Sequence, residues 1–151
     1  MSTKLRQLQE PELAAASALC LRSKAHWGYD EAFLRKCIPE LTLTEADLKN
    51  DAIVAAENAG NLVGIAHVIQ EDAHHHLDKL FVDPNSMGTG TGRALFEWAL
   101  IAAKALGANE LLIDADPGAA AFYERMGCLS DGKIASSIFP GRFLPRYKYV
   151  F

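Results

Sequence analysis

This 151-residue chain predicts an α+β fold with a mixed central sheet, on three observations. Two apolar runs, Leu77 to Val82 and Glu110 to Ala115, each lead into a helical pattern, and a strand-helix-strand-helix run implies parallel central strands. Upstream, the β-rich runs Ala52 to Ala56 and Leu62 to Ile69 are joined by Asn58-Ala59-Gly60-Asn61 and read as a hairpin. Downstream, Arg146-Tyr147-Lys148-Tyr149-Val150-Phe151 alternates and reads as a last strand closing the sheet.

Taken in order, Lys4 to Gln9 suits a first strand. Pro11 fits the first turn of a helix that places Leu13, Ala16, Cys20 and Leu21 on one face. Asp30 caps a short helix using Phe33, Leu34, Cys37 and Ile38, which Pro39 is expected to end. Thr44-Glu45-Ala46-Asp47 has the form of a capping box opening a further helical turn. From Arg93 to Leu106 the apolar residues Leu95, Trp98, Ala99, Ala102 and Leu106 recur at helical spacing, and Gly107 stops the run. Asp116 and Pro117 read as N-cap and first position of the next helix, ended by Gly127.

At 16.4 kDa, residues 1–151 read as a single domain, large enough to bury a core without metal or disulfide staples. A net charge of −4 lacks the basic excess that a row of nucleic-acid phosphates demands, so nucleic acid is not an expected partner. No apolar run approaches the ~20 residues that span a bilayer, and residues 1–7 show no signal-peptide apolar region. The expectation is a soluble, cytoplasmic chain with no membrane association. Cys20, Cys37 and Cys128 are three in number, without C-x-x-C spacing, and read as buried thiols. In His74-His75-His76 strand alternation separates His75 from its neighbours and no Cys or Glu stands at ligand spacing, so no metal site is expected.

Function concentrates where the first strand-to-helix junction falls, at Met87-Gly88-Thr89-Gly90-Thr91-Gly92-Arg93. A helix N-terminus offers unpaired N–H groups and the positive end of the macrodipole, and glycine admits a phosphate close to the backbone. The dinucleotide spacing G-x-G-x-x-G fails, because Arg93 stands where the third glycine is needed. A P-loop fails as well, because Gly92 is followed by Arg93-Ala94.

Residues 87–92 resemble the acyl-CoA pyrophosphate loop of the GCN5-related N-acetyltransferase family, usually Gln/Arg-x-x-Gly-x-Gly/Ala, with Met87 departing from the first position. A second stretch, Asp116 to Gly127, resembles the family's later motif at Ala119, Phe122, Tyr123 and Gly127, while Asp116 replaces an Asn and Cys128 the final Phe. The resemblance covers residues 60 to 130 most firmly.

It implies a mixed sheet of six to seven strands with about four helices, whose parallel fourth and fifth strands splay to admit pantetheine. Main-chain groups of Leu80, Phe81 and Val82 would pair with the pantetheine amides. Amides from Met87 through Gly88, Thr89, Gly90, Thr91 and Gly92 to Arg93 would take the pyrophosphate, with Asp116, Ala119 and Phe122 completing the cofactor site. The implied reaction is attack of a small-molecule amine on acetyl-CoA in a ternary complex. Asp78 or His76, read as sharing a strand face with Leu80 and Val82, is the candidate general base. Tyr123, with an ordinary phenol pKa of about 10, would protonate the leaving thiolate. His26, Trp27, Tyr29 and Arg142 are candidates for binding the acceptor, which a peptide N-terminus would also satisfy. A homodimer through the C-terminal strands is compatible with the resemblance. A non-catalytic acyl-CoA binding module stays open beside the enzyme, as does a plain α+β interaction domain, which leaves both motifs unexplained.

Overall fold

The structure, a computed structural model, describes residues 3–151. Among these residues, seven strands form one sheet in the order β1-β2-β3-β4-β5-β7-β6, accompanied by five α-helices. The strands are β1 (Lys4–Arg6), β2 (Ala52–Asn58), β3 (Asn61–Glu71), β4 (His74–Val82), β5 (Glu110–Asp114), β6 (Leu129–Ala135) and β7 (Phe143–Val150). The helices are α1 (Leu13–Ala25), α2 (Glu31–Leu41), α3 (Glu45–Asn50), α4 (Thr91–Ala105) and α5 (Ala120–Arg125). The mixed α+β class expected from the sequence is therefore the class observed.

Alternation within β2 and β3 divides the core between the two sheet faces. Ala55 and Ile65 point to the side of α1 and α2, where they meet Leu8, Ala16, Cys20, Cys37 and Leu41. Val54, Ala56 and Ala66 point to the other side, against Leu95 of α4. The β2–β3 turn is closed by Ala59 and Gly60 at φ 53° and 82°, the left-handed pair that a two-residue hairpin turn requires. All three cysteines are buried with free thiols.

Several boundaries differ from the sequence expectation. The first strand stops at Arg6, because Leu8 turns into the core beside Ala16 and Cys20. Pro39 does not end α2, which runs on to Leu41. An interior proline costs a helix roughly 3 kcal/mol. Here Leu41 gains burial worth about 1.5–3 kcal/mol, and Thr42 Oγ1 donates to the Ile38 carbonyl at 2.6 Å. In α4 the buried stripe is Leu95, Phe96, Ala99 and Ala103, and Leu106 lies exposed just past the helix end. The last strand does not close the sheet. β7 inserts antiparallel between β5 and β6, and the largely exposed β6 forms the edge.

Candidate active site

Among the described residues the only parallel pairing in the sheet is between β4 and β5, and it is registered at a single position, His76 opposite Leu112. Beyond it the strands separate, leaving a cleft of about 600 Å³ whose walls include Leu80, Phe81 and Val82 on one side and Ile113 and Ala115 on the other. Asp83 N donates to Val63 O at 2.8 Å, so two-residue alternation turns the Phe81 backbone groups toward β3. Those of Leu80 and Val82 face the opening.

β4 is also irregular. Val68 opposes Leu77 and His67 opposes Lys79, so Asp78 is the extra residue of a β-bulge. The bulge overturns the shared face expected from simple alternation. Leu80 and Val82 pack toward α4, whereas Asp78 lies with His67 and Lys79 on the opposite face. Asp78 lines the cleft; His76 is not part of its wall. Lys79, itself buried, donates to Asp78 Oδ2 at 2.7 Å, and among the described residues Asp78 Oδ1 has no partner.

At the mouth of the cleft, α4 begins on Gly90, whose φ of 86° and ψ of 0° hold the left-handed conformation. Among the described residues the amides of residues 88–93 donate to no acceptor, and the first helical bond at this end is Ala94 N to Gly90 O at 3.1 Å. Gly88, Gly90, Gly92 and Arg93 line the cleft, so free donors and the helix dipole meet there in the arrangement an anion needs. Thr91 is buried, with its hydroxyl 3.0 Å from that of Thr3 and 2.9 Å from that of Thr89, and this pins the turn from beneath. A Cβ on Gly92 would sit 3.3 Å from the Phe122 ring, so the helix start and α5 approach closely.

Asp116 begins the turn into α5. Its Oδ1 accepts from Gly118 N at 2.9 Å, and its Oδ2 accepts from the Tyr29 hydroxyl at 2.7 Å and lies 3.2 Å from Lys24 Nζ. Arg142 Nη2 donates to the same Tyr29 oxygen at 2.7 Å and lies over the rings of Tyr29 and Phe33. Trp27 rests on Gly118, where an added Cβ would lie 2.7 Å from the indole. The segment after α1 is thereby tied across the cleft to the loop after β5. Burial, reinforced by the Asp116 hydrogen bond, pushes the Tyr29 phenol up to about 12. The α5 helix aims Tyr123 into the cleft, where it is 6% exposed and its hydroxyl meets no partner among the described residues. Burial first, then the nearby Cys128 and Asp116, raise its pKa well above the usual phenol value.

A family model described as Acetyltransferase (GNAT) domain matches residues 11–133. The chain belongs to the GNAT acetyltransferase family. Comparison with curated protein sequences finds no match. Among solved structures, a GCN5-related N-acetyltransferase from Rhodopseudomonas palustris is similar at TM-score 0.82 and 22% identity, covering 100% of this chain and 97% of its own. PaiA N-acetyltransferase from Thermoplasma acidophilum, in complex with coenzyme A, gives TM-score 0.71 at 18% identity over 99% of this chain and 100% of its own. YncA, a putative acetyltransferase from Salmonella typhimurium with its cofactor acetyl-CoA, gives TM-score 0.72 at 17% identity over 99% and 94%.

Within this GNAT chain the cleft gathers most of the residues singled out from sequence: Asp78 and Tyr123, the β4 segment, the glycine turn from Met87, and Asp116, Ala119 and Phe122. Thr89 and the buried Thr91 are not part of the wall. Of the acceptor candidates, Trp27 and Arg142 line the cleft, Tyr29 braces its rim through Asp116, and His26 packs edge-on against Trp27 outside it. Sequence reading missed Lys24 and Glu40 in the wall, and Lys79 and His67 behind Asp78. His67 carried a usable signal, a polar residue inside the apolar run Leu62 to Ile69. No helix among the described residues is long and apolar enough to cross a membrane.

Proposed function

We propose that this GNAT chain transfers an acetyl group from acetyl-CoA to the primary amine of a small molecule, by direct attack within a ternary complex. The observation that carries the reading is the row of unpaired amides at residues 88–93, at the mouth of a cleft opened by the splay of β4 from β5. The amides suit a diphosphate, and the exposed backbone edge at Leu80 and Val82 suits the amides of a pantetheine arm. Acetyl-CoA supplies an activated thioester; the residues around it supply orientation and proton transfer.

The acceptor enters from the side of Asp78, Glu40 and Trp27. Its nitrogen attacks the thioester carbon, the new C–N bond forms, and the C–S bond breaks. Asp78 Oδ1 takes the proton that nitrogen must lose. An N–H on the open edge of β4 faces the carbonyl oxygen as its charge grows. Tyr123, kept protonated by its burial, delivers a proton to the departing sulfur. Asp78 and Glu40 line the acceptor side together with Lys24 and Arg142, groups that suit an amine bearing a carboxylate.

The test is release of free CoA thiol from acetyl-CoA in the presence of pooled small amines. Amine-dependent release supports the proposal. Binding of acetyl-CoA without release from any amine, amino acid or polyamine would leave a binding module instead.

A further inference from the structure

His67 lies in the middle of β3, 2% exposed, with ring atom Nε2 2.9 Å from Asp51 Oδ2. Its other nitrogen, Nδ1, is buried without a hydrogen bond, and the nearest acidic oxygen is Asp78 Oδ2 at 3.6 Å. A buried ring nitrogen left unpaired costs about 1–3 kcal/mol, so its orientation calls for a reason. Asp78 supplies one because the bulge places it, like Glu40, between two cavities. It lines the cleft on one side, and on the other it borders a second cavity whose wall includes Asp51, His67 and Lys79.

We infer that Asp78, His67 and Asp51 form a proton path leading from the acceptor amine to solvent on the far face of the sheet. The path rests on the acetyl-transfer reading above. In the resting state the ring is neutral with its proton on Nε2, donated to Asp51, and the Nδ1 lone pair points at Asp78. When Asp78 takes the amine proton on Oδ1, a half-turn of its carboxyl presents that proton to Nδ1, closing the gap that is open in the free protein. The imidazolium then stands between two carboxylates. Asp51, with its side chain 23% exposed, takes the Nε2 proton and passes it to water in the second cavity, and Asp78 is again an anion. Before the next turnover the ring regains its resting tautomer by releasing the Nδ1 proton to that water and recovering one on Nε2 through Asp51.

The local charges favour this carrier. Asp78 holds the buried ammonium of Lys79 and Asp51 holds the His67 ring, so with a proton on His67 the four groups sum to neutrality. The other titratable groups on the second cavity's wall are Asp47, Glu40 and Glu71. His67 and Asp51 are positioning and relay groups acting through Asp78, in the manner of a carboxylate that orients an imidazole behind a reacting group.

Two measurements decide it. Nitrogen-detected NMR of the free wild-type protein at neutral pH should show His67 with its proton on Nε2 and a bare Nδ1. A ring protonated on Nδ1 alone would overturn the path, whatever the enzyme turns over. Second, His67→Gln and Asp51→Asn should lower kcat about 10- to 100-fold near neutral pH, with KM for acetyl-CoA within twofold of wild type. The deficit should shrink as pH rises and bulk base takes over the proton. If His67→Gln fails to fold by circular dichroism, Asp51→Asn at the rim gives the same readout. Wild-type turnover with both variants unchanged at every pH overturns the path alone. Absence of wild-type turnover with any amine overturns the acetyl-transfer reading itself.

Discussion

Tyr123 is the residue on which the chemistry of the cleft and the stability of the fold intersect. Its hydroxyl has no partner among the described residues, while its ring packs edge-on against Phe96 and Phe122. Tyr123→Phe keeps that packing and removes only the proton. The expected outcome is a fall in kcat of about 100-fold or more with calorimetric acetyl-CoA affinity unchanged, since a positioned acid contributes on the order of 10²–10⁴. Equal turnover across the pH range would remove Tyr123 from the mechanism. The raised pKa also fixes a sign for stability. A phenol held protonated in the fold contributes fully below its unfolded pKa of about 10, and the contribution is lost as pH climbs from there toward the folded value. Urea midpoints at pH 8 and pH 11 should therefore fall further for wild type than for Tyr123→Phe, and equal falls would show that the buried phenol is not coupled to unfolding.

At the scale of an element, the turn into α4 depends on two glycines for different reasons. Gly90 occupies a left-handed conformation that costs an L-residue about 1–2 kcal/mol, and more for a branched one. Gly92 has ordinary dihedrals but no room, with the Phe122 ring 3.3 Å from where a Cβ would stand. Gly90→Val and Gly92→Val should both abolish CoA binding by calorimetry, with circular dichroism close to wild type. Retained affinity in both would mean that the backbone turn is not the anion cradle. This turn was legible because its glycines sit at a strand-to-helix junction, and the Thr44–Asp47 capping box and the Asp116 cap were legible for similarly local reasons. The bulge at Asp78 was not, since an extra residue is defined only by the opposing strand and nothing in His74 to Val82 announces it. That one-residue shift is why the expected face of His76, Asp78, Leu80 and Val82 divided in two. β6 escaped notice for a different reason. Leu-Ser-Asp-Gly-Lys-Ile-Ala has no alternating face because, as an exposed edge, it buries almost nothing. Pro39 misled because the burial of Leu41, two residues on, and the hydrogen bond from Thr42 to the Ile38 carbonyl together offset what the proline removes.

For the molecule as a whole, the open seam between β4 and β5 is a weakness that a ligand is placed to repair. β4 is paired along its length with β3, and β5 along its length with β7, so each half of the sheet is closed on its outer side. The halves meet at His76 and Leu112, through α4, which packs across β2, β3, β4 and β5, and through the Tyr29, Asp116 and Arg142 hydrogen bonds across the cleft. Backbone groups along the seam past that point have no strand to bond. If a pantetheine arm fills it as an added strand, the amides of Leu80 and Val82 should exchange with deuterium rapidly in the free protein and be protected by acetyl-CoA. Phe81, already turned to β3, should be slow in both states. The same ligand should raise the global stability by about 2.7 kcal/mol at 100 times its Kd, a shift of roughly 5–10 °C in Tm for a chain of this size. A Tm shift without altered exchange at Leu80 and Val82 would place the ligand on the glycine turn alone and leave the seam unbridged. Protection at both residues would show the two halves of the sheet joined through the bound ligand.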